Sequence, residues 1–188
     1  MIWRTIAPVI PSYRNEDGIR SVHDLGLGIS IGPAGAWPFD RTVLRSLGAI
    51  YAREVEESKL WLVAEYEADS MGDPSDEPGV SKQLRALRRL REAQLALWIP
   101  RPSALSFRIG IHHRDHEGES LYQGFEIARA FVPLDRYRTA TVGTGHLPAA
   151  RQLFAALAAL PHEGPVWIAC RSVFSAIQDT EPSLRFLL

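Results

Sequence analysis

The run His112-His113-Arg114-Asp115-His116, followed by Glu117 and Glu119, holds the densest set of metal-ligating side chains in the chain. Imidazole and carboxylate suit zinc or another transition metal. His112 and His116 stand four residues apart, a spacing that brings two ligands to one side only in a helix. The segment reads instead as the tip of a hairpin. A site of His112, Asp115 and His116, the basis for a metal-dependent enzyme, would need that tip to fold inward. The plain alternative is a solvated polar turn.

Other motifs meet similar obstacles. Gly28-Ile29-Ser30-Ile31-Gly32 has the G-x-S-x-G form of a nucleophile elbow. That motif works through a strained strand-to-helix turn, whereas here alternation runs straight through Ser30 and Pro33 leads on into loop. Gly143-Thr144-Gly145 precedes a helix, where free backbone N–H groups can hold an anion, but no Lys completes a phosphate loop. Lys82, Arg85, Arg88, Arg89 and Arg91 form a basic stripe that could meet nucleic acid or an acidic partner. Placed opposite Leu84, Leu87 and Leu90, it also fits an ordinary solvated helix face. Glu65, Glu67, Asp69 and Asp73 show no spacing that supports acid–base work. Cys170 shares a helix face with Trp167, Phe174 and Ile177, as a buried thiol does. None of these sets supplies a catalytic residue or implies a cofactor.

The elements that must position these residues follow from periodicity. Residues 1–24 read as irregular. Leu25–Ile31 alternates and predicts a strand whose Gly and Ser positions let another backbone approach. Asp40 caps a predicted helix to about Ser58, with Val43, Leu44, Leu47, Ile50, Tyr51 and Val55 on one face. Leu60–Glu67 predicts a strand, and Ser81 caps a second helix to Trp98, ended by Pro100 and Pro102. Residues 104–112 and 121–132 predict a hairpin, Pro148–Leu160 a helix, and Val166–Gln178 another. The order β-α-β-α-β-β-α-α predicts an α+β fold with a mixed or antiparallel sheet and packed helices. Residues 1–165 form the predicted α+β domain and 166–188 a helical segment.

With 188 residues, 46% hydrophobic and 23% charged, the chain can build a core without staples. A formal net charge of −1 argues against a global field that would attract nucleic acid or an anionic membrane. One cysteine fits a reducing compartment. No signal-like start and no long apolar run is present, so a cytoplasmic protein is expected. Abundant Arg, Ala, Leu and Pro, with only Lys59 and Lys82 as lysines, suit a GC-rich bacterial genome.

Asp179-Thr-Glu-Pro-Ser183 reads as a helix start, and Leu184–Leu188 as its first apolar turn. One turn alone is unstable. Phe186, Leu187 and Leu188 are therefore expected to dock on a partner or a second copy, or to open a longer helical domain.

Three stretches, Trp61–Ser70, Leu95–Pro102 and Pro182–Leu188, together resemble the N-terminal region of uncharacterised bacterial proteins that carry a HEPN-like helical domain. The resemblance implies association with defence or stress systems and RNA contact. Arg108 and His113 also match the R-x4-H spacing of such domains. They fall in a predicted strand rather than a helix, and the helical domain is not within these residues, so no nuclease role is carried over. The sequence thus predicts a non-enzymatic recognition or regulatory module acting through protein contact. The alternatives are a nucleic-acid-contacting accessory domain of an RNA-targeting protein and a metal-dependent enzyme using the His112–His116 turn.

Overall fold

The computed structural model describes residues 1–10, 18–70, 72–76, 78–101, 103, 105, 107–116, 119–126, 141–161, 164–169 and 172, with the backbone alone at 115, 116 and 119–126. Its elements are β1 (Ile2–Pro8), β2 (His23–Gly26), β3 (Ile29–Pro33), α1 (Ala49–Glu57), β4 (Leu60–Glu67), α2 (Lys82–Trp98), β5 (Ile109–His116), β6 (Glu119–Glu126) and α3 (Leu147–Ala159). Short 3-10 turns cover Ala34–Ala36, Arg41–Ser46 and Thr144–His146. The fold is α+β, and its sheet is antiparallel throughout.

The six strands run in the order β2-β3-β4-β1-β5-β6. β1 lies at the centre, where Ile6 pairs with Val63 on one side and Ile111 on the other. This corrects the reading of residues 1–24 as irregular. Trp3, Thr5, Ile6 and Ala7 are all buried, so both faces of the strand are covered, and its sequence, with Arg4 and Thr5 between the apolar residues, shows no alternation of the kind that betrays a half-exposed strand.

Both faces of the sheet are covered. Leu60, Leu62 and Ala64 of β4 point to the face packed by α2 and α3, joining Leu90, Ala93 and Phe154 in one core cluster. Trp61 and Val63 point to the other face and join Ile6, Ile111, Trp37, Leu44 and Val55. The strand period of two sends neighbouring side chains to different cores.

Three further expectations change. The predicted strand over 25–31 is a hairpin, with Gly26, Leu27 and Gly28 at φ 95°, 54° and 77°. The predicted helix over 40–58 is divided. Asp40 does cap, but it caps the 3-10 turn, accepting from the Thr42 N–H at 2.8 Å. Gly48, at φ 78°, then resets the chain before α1. The break shifts the apolar register, leaving Ile50 68% exposed. The β5–β6 hairpin is tighter than predicted, and His113–His116, expected in the connection, belong to the strand. α2 and α3 match their predicted spans closely, and residues 165–169 are helical. Among the described residues no helix is long and apolar enough to cross a membrane.

Candidate functional site

α2 is launched by Ser81, whose Oγ accepts from the Leu84 N–H at 3.2 Å. The helix buries Ala86, Leu90, Ala93 and Leu97, while Leu84, expected in the apolar face, is 49% exposed. The helix is rolled so that small Ala side chains meet the sheet, and this turns Lys82, Arg85 and Arg89 toward β4. These three form one wall of a cleft of about 440 Å³. Ile29, Ala64 and Tyr66 line it with two acidic residues of the same strand, Glu65 and Glu67, and Leu27 of the hairpin turn and Ser75 and Asp76 of the loop before α2 complete the lining.

The hairpin end is held by a close backbone approach. The Glu65 N–H donates to the Gly28 carbonyl at 2.8 Å. A Cβ on Gly28 would fall 2.5 Å from the Glu65 carbonyl oxygen. Leu27 itself occupies the left-handed region, a strain of about 1 kcal/mol or more for a residue with a Cβ. On the opposite rim the loop before α2 closes on itself. The Ser75 N–H donates to the Val80 carbonyl at 2.9 Å, and the Lys82 N–H to Asp73 at 2.8 Å. This holds Asp76 against Arg85 in an ion pair.

The five cations of the predicted stripe therefore divide. Arg85 pairs with Asp76, which is 72% exposed. Arg89 donates to the fully buried Glu92 at 2.8 Å. Arg91 stacks on the Phe107 ring at 5.0 Å and donates to Gln94 at 3.2 Å, and burial brings its pKa down to about 10, still cationic at neutral pH. Arg88 is half-buried. Lys82, Arg85 and Arg89 alone face the cleft.

Behind the cleft lies a polar cluster that motif reasoning missed. Thr5, Tyr66 and His112 come from three adjacent strands and share a face through the pairs Thr5↔Ala64, Trp3↔Tyr66 and Thr5↔His112. The His112 Nδ1 lies 2.7 Å from the Thr5 hydroxyl and 3.3 Å from that of Tyr66. Burial pushes the imidazole down to about 4 and the Tyr66 phenol up to about 12. At neutral pH both stay neutral and share hydrogen bonds inside the core. The only trace of this cluster in the sequence is polar residues inside strands, visible once β1 is recognised as a strand.

The remaining sequence candidates are placed as follows. His112 is buried in β5, and Asp115 and His116 follow as backbone positions paired with Ser120 and Glu119. On an extended strand the Cα atoms of His112 and His116 stand roughly 13 Å apart, too far for both to reach one metal without rearrangement. Among the described residues no group of three or more His, Cys, Asp or Glu is placed to hold a metal ion. The Gly143 N–H donates to the His146 ring at 3.2 Å, while Thr144 and Gly145 are exposed. Ser30 sits mid-strand, paired with Asp24 and Val63, not on an elbow. Glu65 accepts from Arg4 at 2.7 Å and lines the cleft with Glu67, while Asp73 lies in the loop before α2, held below the usual carboxylate range by the Ser70 hydroxyl. Cys170 and Phe186, Leu187 and Leu188 lie outside the described residues.

Fold and site together define an α+β protein with a charged cleft on the helix-covered face of an antiparallel sheet. In comparisons with known proteins, no family model, curated protein or solved structure matches the chain.

Proposed function

We propose that this chain is a non-enzymatic recognition module that receives an acidic segment of a partner protein in the α2–β4 cleft. One observation carries this reading. Arg85, flanked by Lys82, is met by a solvent-exposed carboxylate from a neighbouring loop. An exposed pair of this kind contributes roughly 0–1 kcal/mol, so an incoming carboxylate can replace Asp76 at little cost.

A second reading, an accessory domain that contacts RNA beside a HEPN-like helical domain, is favoured by the same row of cations. The two separate in one experiment. The probes are poly-glutamate and a single-stranded RNA oligonucleotide, titrated against the wild type and a Lys82→Glu/Arg85→Glu variant. Both positions are solvent-accessible, so circular dichroism should show an unchanged fold. We expect poly-glutamate to bind and the variant to weaken it at least tenfold, about 1.4 kcal/mol. RNA binding that falls steeply with salt and is lost in the variant would favour the second reading. Binding of neither probe, or binding indifferent to the variant, would overturn both.

A further inference from the structure

Where β4 borders the cleft, its edge is left open. β3 covers that edge only as far as Ala64, which pairs with Ile29. Beyond Ile29 the turn through Gly28, Leu27 and Gly26 carries the chain away, while β4 runs on to Glu67. In an antiparallel ladder the main-chain groups of successive residues point to alternate sides. The Glu65 N–H goes to the Gly28 carbonyl, on the β3 side. The Ala68 N–H goes to the Met1 carbonyl at 3.0 Å, on the β1 side. Glu67 therefore turns its N–H and C=O to the β3 side, where β3 has ended. The residue is exposed and lines the cleft, and among the described residues nothing takes either group. An open strand edge is a template for another strand.

Charge says what kind of strand fits. Residues side by side on neighbouring strands share a face, and successive ones alternate. Tyr66 shares the α2 face with Leu62 and Ala64, so a side chain beside it meets Lys82, Arg85 and Arg89 across the cleft. Glu67 has the parity of Trp61 and Val63, which belong to the other core. A carboxylate directly opposite Glu67 would be repelled. Glu65, on that same face, is already matched by Arg4.

We propose that the acidic segment enters the cleft as a short antiparallel strand, continuing the line of β3 and exchanging both main-chain bonds with Glu67, with its acids at alternate positions. This rests on the reading of the cleft as a site for an acidic partner segment, and adds how that segment is read. The strand edge selects an extended chain. The cations of α2 select acids on one face, and Glu67 rejects them on the other.

The test uses a labelled heptapeptide, acetyl-Thr-Glu-Thr-Glu-Thr-Glu-Thr-amide, titrated against the full chain by fluorescence anisotropy. With the acids toward α2, the Thr residues are the ones whose main chain meets Glu67. N-methylation of the inner Thr residues should weaken binding at least about tenfold, and N-methylation of the Glu residues should change it less than about twofold. A block peptide of four Thr and three Glu should bind more weakly than the alternating one. Glu67→Pro removes the N–H at an edge position, where proline is tolerated, and should weaken the unmethylated peptide about tenfold, whereas Glu67→Gln keeps the N–H and should not. Circular dichroism checks the fold of both variants, and the peptide series decides the matter if Glu67→Pro does not fold. Equal binding of the two methylated peptides would overturn the strand addition, as would loss on methylating Glu instead of Thr. If poly-glutamate still binds and depends on Lys82 and Arg85, only the strand addition falls. If no acidic peptide binds, the reading of the cleft falls and the strand addition with it.

Discussion

His112 sits in the core as a neutral ring, and that has a consequence for stability against acid. Its folded pKa is about 4, below the ordinary value of 6.5. Between those values the unfolded chain binds the extra proton and the folded one does not. The contribution is therefore complete above about pH 6.5 and is lost as pH falls toward 4, with a slope of at most about 1.4 kcal/mol per pH unit. Urea unfolding at several pH values in this window should show it, and His112→Gln should lose this part of the slope. Glu54, whose carboxyl is raised by burial in α1, titrates in both proteins and cancels in the comparison. An identical acid slope in the variant would refute the assignment. None of this was legible from the run His112–His116, where histidines beside acids suggested a solvated tip or a metal site. Strand parity was the missing information. It sends His112 to Thr5 and Tyr66 beneath the helices, and His113 to the aromatic face, 6.4 Å from the Phe39 ring.

Among the elements, the turn between β2 and β3 holds the clearest test. Gly28→Ala would place a methyl 2.5 Å from the Glu65 carbonyl at φ 77°. Gly26→Ala, at φ 95°, would meet nothing within 4 Å. Both carry the backbone cost of about 1 kcal/mol or more, but only Gly28→Ala should add a clash, for a total of roughly 2–4 kcal/mol. Chemical denaturation of the two variants decides it, and equal losses would show that the close approach to β4 contributes nothing. The Gly pattern over 25–31 did signal that a backbone draws near. What it could not signal was that the same glycines reverse the chain. α2, β4 and α3 were legible because caps and periodicity agreed: Ser81 before α2, Pro148 in the first turn of α3, and a β-rich run for β4. The helix predicted from Asp40 failed because a sound cap says nothing about a glycine eight residues later.

For the molecule as a whole, the expectation attached to Phe186, Leu187 and Leu188 can be tested directly. Deleting the three should shift the oligomeric state in sedimentation, or abolish capture of a partner. A truncated protein with an unchanged oligomeric state, partner capture and stability would show that these three residues form no docking element. The function readings and this deletion are independent, since the cleft is built from α2, β3, β4 and the loop before α2. The overall α+β class was legible from the order of elements. The strand order was not, because it depends on a strand whose two buried faces conceal its period.

The central position of β1 also bears on assembly. Its partners, residues 61–67 and 111–114, arrive far later in the chain. Until both are in place the sheet exists as two hairpin-bearing halves with facing open edges, and contacts of such long range form slowly. An open edge is a template for any other strand. β1 thus works as a bolt between two leaves. Engineered to be withheld, it would leave each molecule carrying one half of a lock that another copy's β1 could close, the usual route to exchange of an element between protomers.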